Sequence, residues 1–209
     1  MVIRGGLVVF TAYCIGSITF GLVISKLWKS RDPRLEGSGN VGATNVYRVL
    51  GKAGGMLTLL SDGGKGFLVV YGGGWYGMSS GLFPSSHGHV LEALVLIAVI
   101  LGHIFPIWFR WKGGKGVATS AGACLALSVP LALLCAGIWL FVFLAFRYVS
   151  LASLVAGLCA PVSALFFLEE RLYAYALFFL LLLVIFTHRQ NIRRLWRGEE
   201  ASFRGGGVL

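Results

Sequence analysis

The sequence predicts an all-α polytopic membrane protein with seven transmembrane helices, some short or broken, its amino terminus outside and its carboxyl terminus inside. Three observations lead there. The 209-residue chain is 57% hydrophobic against 12% charged, with a mean hydropathy of +0.82, far from the usual balance of a soluble domain. Several apolar runs approach or exceed the roughly 20 residues a helix needs to cross a bilayer. Nearly every Lys and Arg falls on one side once the spans are counted, as the enrichment of basic residues in cytoplasmic loops requires. The formal charge of +10 is therefore topological, and no nucleic-acid partner is expected.

Gly5 to Leu27 forms the first span. It is longer than a signal-peptide apolar region and lacks an Ala-x-Ala cleavage pattern, so it is expected to be retained. Lys26, Lys29, Arg31 and Arg34 close it on the inside. Val46 to Gly77 forms the second, interrupted by Ser61, Asp62, Gly63, Gly64 and Lys65. It is expected to be broken or strongly tilted, with two short helices as the alternative. Asp62 and Lys65 are three apart and can pair on one helical face. An unpaired charge at membrane depth costs at least a few kcal/mol, so a supporting ion pair is expected. Tyr71 to Gly88, with three consecutive glycines and no Lys or Arg, reads as an outer loop.

Val90 to Phe109 returns to Arg110, Lys112 and Lys115. Val117 to Phe146 is too long for one simple crossing at about 1.5 Å per residue, and Ser128 with Pro130 offers a turn that makes it two. Leu151 to Leu168 and Leu172 to Thr187 are the last spans, joined by the acidic turn Glu169-Glu170-Arg171. His188 opens a basic tail with Arg189, Arg193, Arg194 and Arg197. Arg4, Arg171 and Lys65 are the exceptions to the one-sided charge. The whole chain, 1–209, reads as a single integral membrane domain. Cys14, Cys124, Cys135 and Cys159 lie in apolar segments without paired spacing and read as free thiols, with no metal site indicated.

This topology gathers three polar segments at the inner face: Gly37 to Arg48, Arg110 to Ser120 and His188 to Arg197, with Ser150 and Ser153 beside Arg147. The first is nearly all backbone donors and small polar side chains, and Arg48 adds a fork suited to phosphate. Gly37, Gly39 and Gly42 match a dinucleotide fingerprint in letters alone, because no strand precedes them. What survives is an anion cradle opening onto a helix N-terminus, with Asn40, Thr44 and Asn45 as further ligands. The second segment sets Lys112 and Lys115 around Gly113 and Gly114, without the spacing of a Walker loop. In the third, His188 and Asn191 share a face if the helix continues. The inner carboxylates Asp32, Glu36, Glu199 and Glu200 give no support for a Ser-His-Asp triad. His87 and Glu92 faintly echo an acyltransferase signature but fall on the outer side and are discounted.

Gly-Ser-Gly-Asn-Val-Gly-Ala-Thr-Asn-Val-Tyr-Arg, Gly-His-Ile-Phe-Pro with Lys-Gly-Gly-Lys-Gly-Val-Ala-Thr, Arg-Tyr-Val-Ser-Leu-Ala-Ser and His-Arg-Gln-Asn-Ile-Arg-Arg occur in that order. Together they resemble the motif set of the bacterial acyl-phosphate:glycerol-3-phosphate acyltransferases, the PlsY family. The resemblance implies an inner-membrane enzyme with a cytoplasmic active site. It would move a fatty acyl group from acyl phosphate to the 1-hydroxyl of glycerol 3-phosphate, giving lysophosphatidate and phosphate. Neither acyl-CoA nor acyl-carrier protein would serve as donor, and no cofactor is implied. By motif position, Ser38, Arg48, Lys115, Ser153, His188 and Asn191 would be catalytic, with phosphate held around Gly37, Gly39 and Gly42. The expected partners are both substrates, membrane lipids and a docking enzyme that makes the acyl phosphate. The glycines between Asp62 and Lys65 depart from the bulkier residues common in the family. A transporter of organic phosphates is the rival reading, since broken helices and glycine loops also build transport sites. A structural subunit would not need such dense polar loops.

Overall fold

The computed structural model describes residues 2–80 and 85–203, and of residues 85–87 the backbone alone. His87 therefore lies outside the described side chains. Every regular element among the described residues is helical. The chain divides into two compact units, Met1–Leu127 and Ser128–Leu209.

In the first unit, the expected opening span is a bent pair, α1 (Val2–Gly16) and α2 (Phe20–Leu27), meeting at 47°. Ser17, inside the break, returns its hydroxyl to the Tyr13 carbonyl at 2.9 Å. After the polar loop, α3 (Ala43–Ser79) runs 37 residues, about 55 Å at 1.5 Å per residue. Its kink lies at Gly51, whose φ of 76° and ψ of −174° belong to a region essentially restricted to glycine. This corrects the expected interruption, because Ser61 to Lys65 stays helical.

The expected outer loop from Tyr71 is corrected as well. Gly72 to Gly74 continue α3, and Gly73 and Gly74 are small because another helix passes closely. A β-carbon on Gly73 would lie 2.8 Å from Cγ1 of Val95, and one on Gly74 would strike the Glu92 carboxylate. Val95 and Glu92 belong to α4 (Ser85–Ile104), which a short 3-10 turn at Ile107–Phe109 follows. The brief α5 (Val117–Leu127) packs on α3 with the backbones nearly touching. A β-carbon on Gly122 would fall on the Gly63 carbonyl, and one on Gly66 on the Thr119 carbonyl. Such small-residue contacts are how membrane helices gain packing without a hydrophobic driving force between them.

The split at Ser128 is present. Ser128 caps α6 (Val129–Phe146), its hydroxyl accepting from the Leu131 amide at 3.4 Å, with proline in the first turn where no donor is needed. Then follow α7 (Val149–Phe167), α8 (Arg171–Thr187) and α9 (Arg189–Trp196), with a 60° bend at His188 between the last two. The apolar stretch Gly88–Phe109, α6 and α7 are each long and apolar enough to cross a bilayer, and the two bent pairs qualify as one span each. With the charged α3 and the short α5, they occupy all seven positions expected of crossings. Large apolar side chains such as Leu68, Trp75, Phe141 and Phe166 stand exposed, as lipid-facing residues do.

Candidate active site

In the first unit, the loop before α3 is built around Asn45. This side chain, 2% exposed, accepts from the Ser38 amide at 2.8 Å, and the two hydrogens of its Nδ2 are shared among the carbonyls of Pro33 (2.8 Å), Glu36 (3.0 Å) and Asn40 (2.8 Å). Gly37 and Gly39 take positive φ values of 61° and 70°, which lets the chain coil around that one amide. Asn40 is also turned inward, its Oδ1 accepting from the Gly42 amide at 2.7 Å. Two residues expected as anion ligands thus hydrogen-bond the backbone of their own loop. Gly42 caps α3, and Ala43 and Thr44 open it, where first-turn amides have no intrahelical acceptor. Ser38 is exposed at the rim, and Thr44 and Arg48 are half-buried on the early turns of α3.

The carboxylates of this region are committed elsewhere. The Arg34 guanidinium bonds Asp32 at 2.6 Å and holds its carboxyl below the usual range. Arg31 meets Glu36 at 3.3 Å.

The second basic loop folds against the end of α4. Gly114 donates its amide to the His103 carbonyl at 3.1 Å, and a β-carbon on Gly113 would strike the same carbonyl. Lys112 is exposed, Gly113 and Lys115 are half-buried, and Gly114 is buried. Beneath this loop, Lys65 and Asp62 form the expected pair at 2.7 Å, with side chains 3% and 1% exposed.

In the second unit, Ser153 is buried on α7. It donates to the Val149 carbonyl at 2.7 Å and accepts from the Trp139 indole at 3.1 Å. His188, 2% exposed, sits at the α8–α9 bend with Nδ1 at 2.8 Å from the Val184 carbonyl. A carbonyl only accepts, so Nδ1 carries a proton, and whenever the ring is neutral its lone pair lies on Nε2. Asn191 is buried and donates to Oε1 of Glu200 at 2.6 Å. The same oxygen accepts from Ser150 at 2.6 Å, while Arg194 bonds Oε2 at 2.8 Å. Burial works against ionisation of Glu200, but these three donors outweigh it and hold the carboxyl below its ordinary value.

Glu200 therefore clasps the tail to α7 and α9, a role its position in sequence did not reveal. The available signal was a carboxylate just after Gly198, whose φ of 68° turns the chain back. The buried side chain of His103, whose Nδ1 lies 3.0 Å from Nζ of Lys65, was likewise missed, although it lies within Gly-His-Ile-Phe-Pro.

The profile of the glycerol-3-phosphate acyltransferase family matches residues 6–198. The chain belongs to that family. A glycerol-3-phosphate acyltransferase of Methylobacillus flagellatus is 45% identical over 93% of this chain and 95% of its own. One from Neisseria meningitidis serogroup C is 43% identical over 94% and 96%. The crystal structure of PlsY (YgiH), an integral membrane glycerol 3-phosphate acyltransferase, is similar in its glycerol 3-phosphate form, with a TM-score of 0.87, 40% identity and 96% of both chains covered. Its lysophosphatidic acid form gives a TM-score of 0.84. This acyltransferase is thus an all-α integral membrane enzyme, as its motifs implied.

Proposed function

We propose that this acyltransferase transfers a fatty acyl group from acyl phosphate to the 1-hydroxyl of glycerol 3-phosphate. The observation that carries the reading is the 40% identity, over 96% of both chains, to a glycerol 3-phosphate form of PlsY. The hydroxyl oxygen attacks the acyl carbonyl, a tetrahedral oxyanion forms, and its collapse breaks the bond to the phosphate oxygen. Lysophosphatidate and inorganic phosphate leave. The donor is already activated, so the remaining work is positioning, oxyanion stabilisation and removal of one proton.

Both substrates carry phosphate, and we assign Arg48 and Lys115 to neutralise them, with Ser38 and the opening of α3 as neutral donors. Lys112, Gly113 and Gly114 complete the phosphate-binding set. In the second unit we assign His188 and Asn191 to orient the glycerol hydroxyls and Ser153 to bind substrate. The Nε2 lone pair of His188 suits acceptance from a hydroxyl. Substrate phosphate, with an ordinary second pKa of about 6, takes the proton.

The chain acts as one domain in a bacterial inner membrane, amino terminus outside, carboxyl terminus inside, its polar loops facing the cytoplasm. The enzyme that makes acyl phosphate docks at that face. Purified protein in sealed vesicles, given acyl phosphate and labelled glycerol 3-phosphate, tests the reading. Labelled lysophosphatidate is the expected product. Label accumulating inside the vesicles unchanged, with no lipid product, would support the transporter instead.

A further inference from the structure

The catalytic assignments leave Asp62, Lys65 and His103 unused, yet these side chains are nearly sealed from solvent, at 1%, 3% and 3% exposure. Lys65 joins three parts of the first unit. Its Nζ lies 2.6 Å from the Ile18 carbonyl in the break between α1 and α2, 2.7 Å from Oδ1 of Asp62 on α3, and 3.0 Å from Nδ1 of His103 on α4. The same Nδ1 is 3.5 Å from Oδ1 of Asp62. One edge of the imidazole is thus anchored to a buried ion pair on another helix.

The opposite edge carries the second basic loop. Ile100, His103 and Ile104 share a face near the end of α4, and the chain from Gly113 to Gly116 is laid along it. Gly114 donates its amide to the His103 carbonyl at 3.1 Å. A β-carbon on Gly113 would strike that carbonyl and lie 2.7 Å from the Ile104 carbonyl. One on Gly114 would meet Nε2 of the ring, with Cε1 at 2.9 Å and Cδ2 at 3.1 Å, and one on Gly116 would lie 3.2 Å from Cγ2 of Ile100. Ring and loop backbone are in direct contact, and glycine at 114 is what permits it.

We infer that His103 is a positioning residue for phosphate binding: its ring, held at one edge by Lys65 and Asp62, is the floor on which Gly113 and Gly114 rest, and it sets where Lys112 and Lys115 present their charge. This rests on the phosphate-binding reading of that loop. A loop already seated does not have to be ordered when the anion arrives, so the contact acts on affinity and not only on folding. The rigid imidazole carries the fixed geometry of the α3 ion pair across to a segment that has no regular structure of its own.

The test is a double-mutant cycle on the full-length purified protein, titrated with inorganic phosphate by calorimetry beside thermal unfolding curves. Asparagine matches histidine out to the Nδ1 position, so His103→Asn keeps a polar atom facing Lys65 and removes the edge against Gly114. It should weaken phosphate binding roughly three- to tenfold, the scale of ordering one side chain on binding. Gly114→Ala drives a β-carbon into the ring and should weaken binding roughly ten- to a hundredfold, the scale of overpacking a filled contact. In the double variant the shorter amide leaves room for that β-carbon, so phosphate should bind more tightly than to Gly114→Ala alone. Independent structural defects would instead add. Wild-type affinity in either single variant, losses that add in the double variant, or losses that track a fall in unfolding midpoint would each overturn the inference. Wild-type protein that acylates glycerol 3-phosphate without binding phosphate overturns the inference and leaves the proposed function standing. Wild-type protein that does neither overturns both.

Discussion

Replacing Asn45 with alanine should loosen the first phosphate loop while leaving the helices in place. The side chain ties together four backbone groups between Pro33 and Asn40. Each such hydrogen bond contributes about 0.5–1.5 kcal/mol net. The loop carries exposed residues, so water can reclaim part of what is lost, which puts the sum near the lower end at about 2–3 kcal/mol. At about 1.4 kcal/mol per factor of ten, loop opening becomes roughly 30- to 140-fold more frequent. Hydrogen exchange reads this directly, because the Ser38 amide donates to Asn45 Oδ1. Its protection should fall by that factor, and KM for glycerol 3-phosphate should rise. Asn45→Asp keeps the acceptor for Ser38 but sets a carboxylate oxygen against three carbonyls, and should be at least as damaging. Unchanged protection at Ser38 in both variants would refute the view that Asn45 organises the loop.

Four further outcomes are expected. Arg48→Ala and Lys115→Ala should each remove most turnover without unfolding the protein, measured as acylation beside a melting curve. Simultaneous alanine replacement of Cys14, Cys124, Cys135 and Cys159 should leave turnover nearly intact, and a folded but inactive quadruple variant would favour a thioester intermediate. Gly122→Ala drives a β-carbon onto the Gly63 carbonyl, so it should cost about 1–3 kcal/mol or more in thermal stability, well beyond the effect of Gly137→Ala, where a β-carbon meets open space. The carboxyl of Glu200 titrates below its ordinary value, so its stabilising share is complete above the unfolded value near 4.5 and is lost as pH falls through the lower folded value. Proteolysis of the tail should accelerate over that acidic window, and Glu200→Gln should flatten the dependence.

Much of the helical order was legible because its signals are local. Ser128 with Pro130 marks a helix start through a side-chain cap and a missing donor, and Asp62 with Lys65 is an i,i+3 pair whose burial demands that it close. Glycine misled in both directions. In water, Gly72 to Gly74 would favour a loop, but beside Val95 and Glu92 it is Gly73 and Gly74 that let two helices approach. The kink fell at Gly51 and not within Ser61 to Lys65, because helix packing and the buried ion pair hold the latter segment in register.

Residue types at the polar loops were readable, whereas their orientation was not. Asn40 and Asn45 have the chemistry of anion ligands, yet their amides turn inward to satisfy backbone groups of their own loop. Glu200 looked remote from the reaction because its partners Ser150 and Asn191 come from separate helices, which only the folded tail brings to one carboxylate. His103 gave no periodic or spacing signal, and the lysine it meets at 3.0 Å is distant in sequence.

The most direct measurement compares donors on the purified protein. Equal amounts of lysophosphatidate and inorganic phosphate should appear from acyl phosphate and glycerol 3-phosphate, with no product when acyl-CoA or acyl-carrier protein replaces the acyl phosphate. Lysophosphatidate formed from acyl-CoA at a comparable rate, or phosphate released without an acylated product, would contradict direct transfer from acyl phosphate.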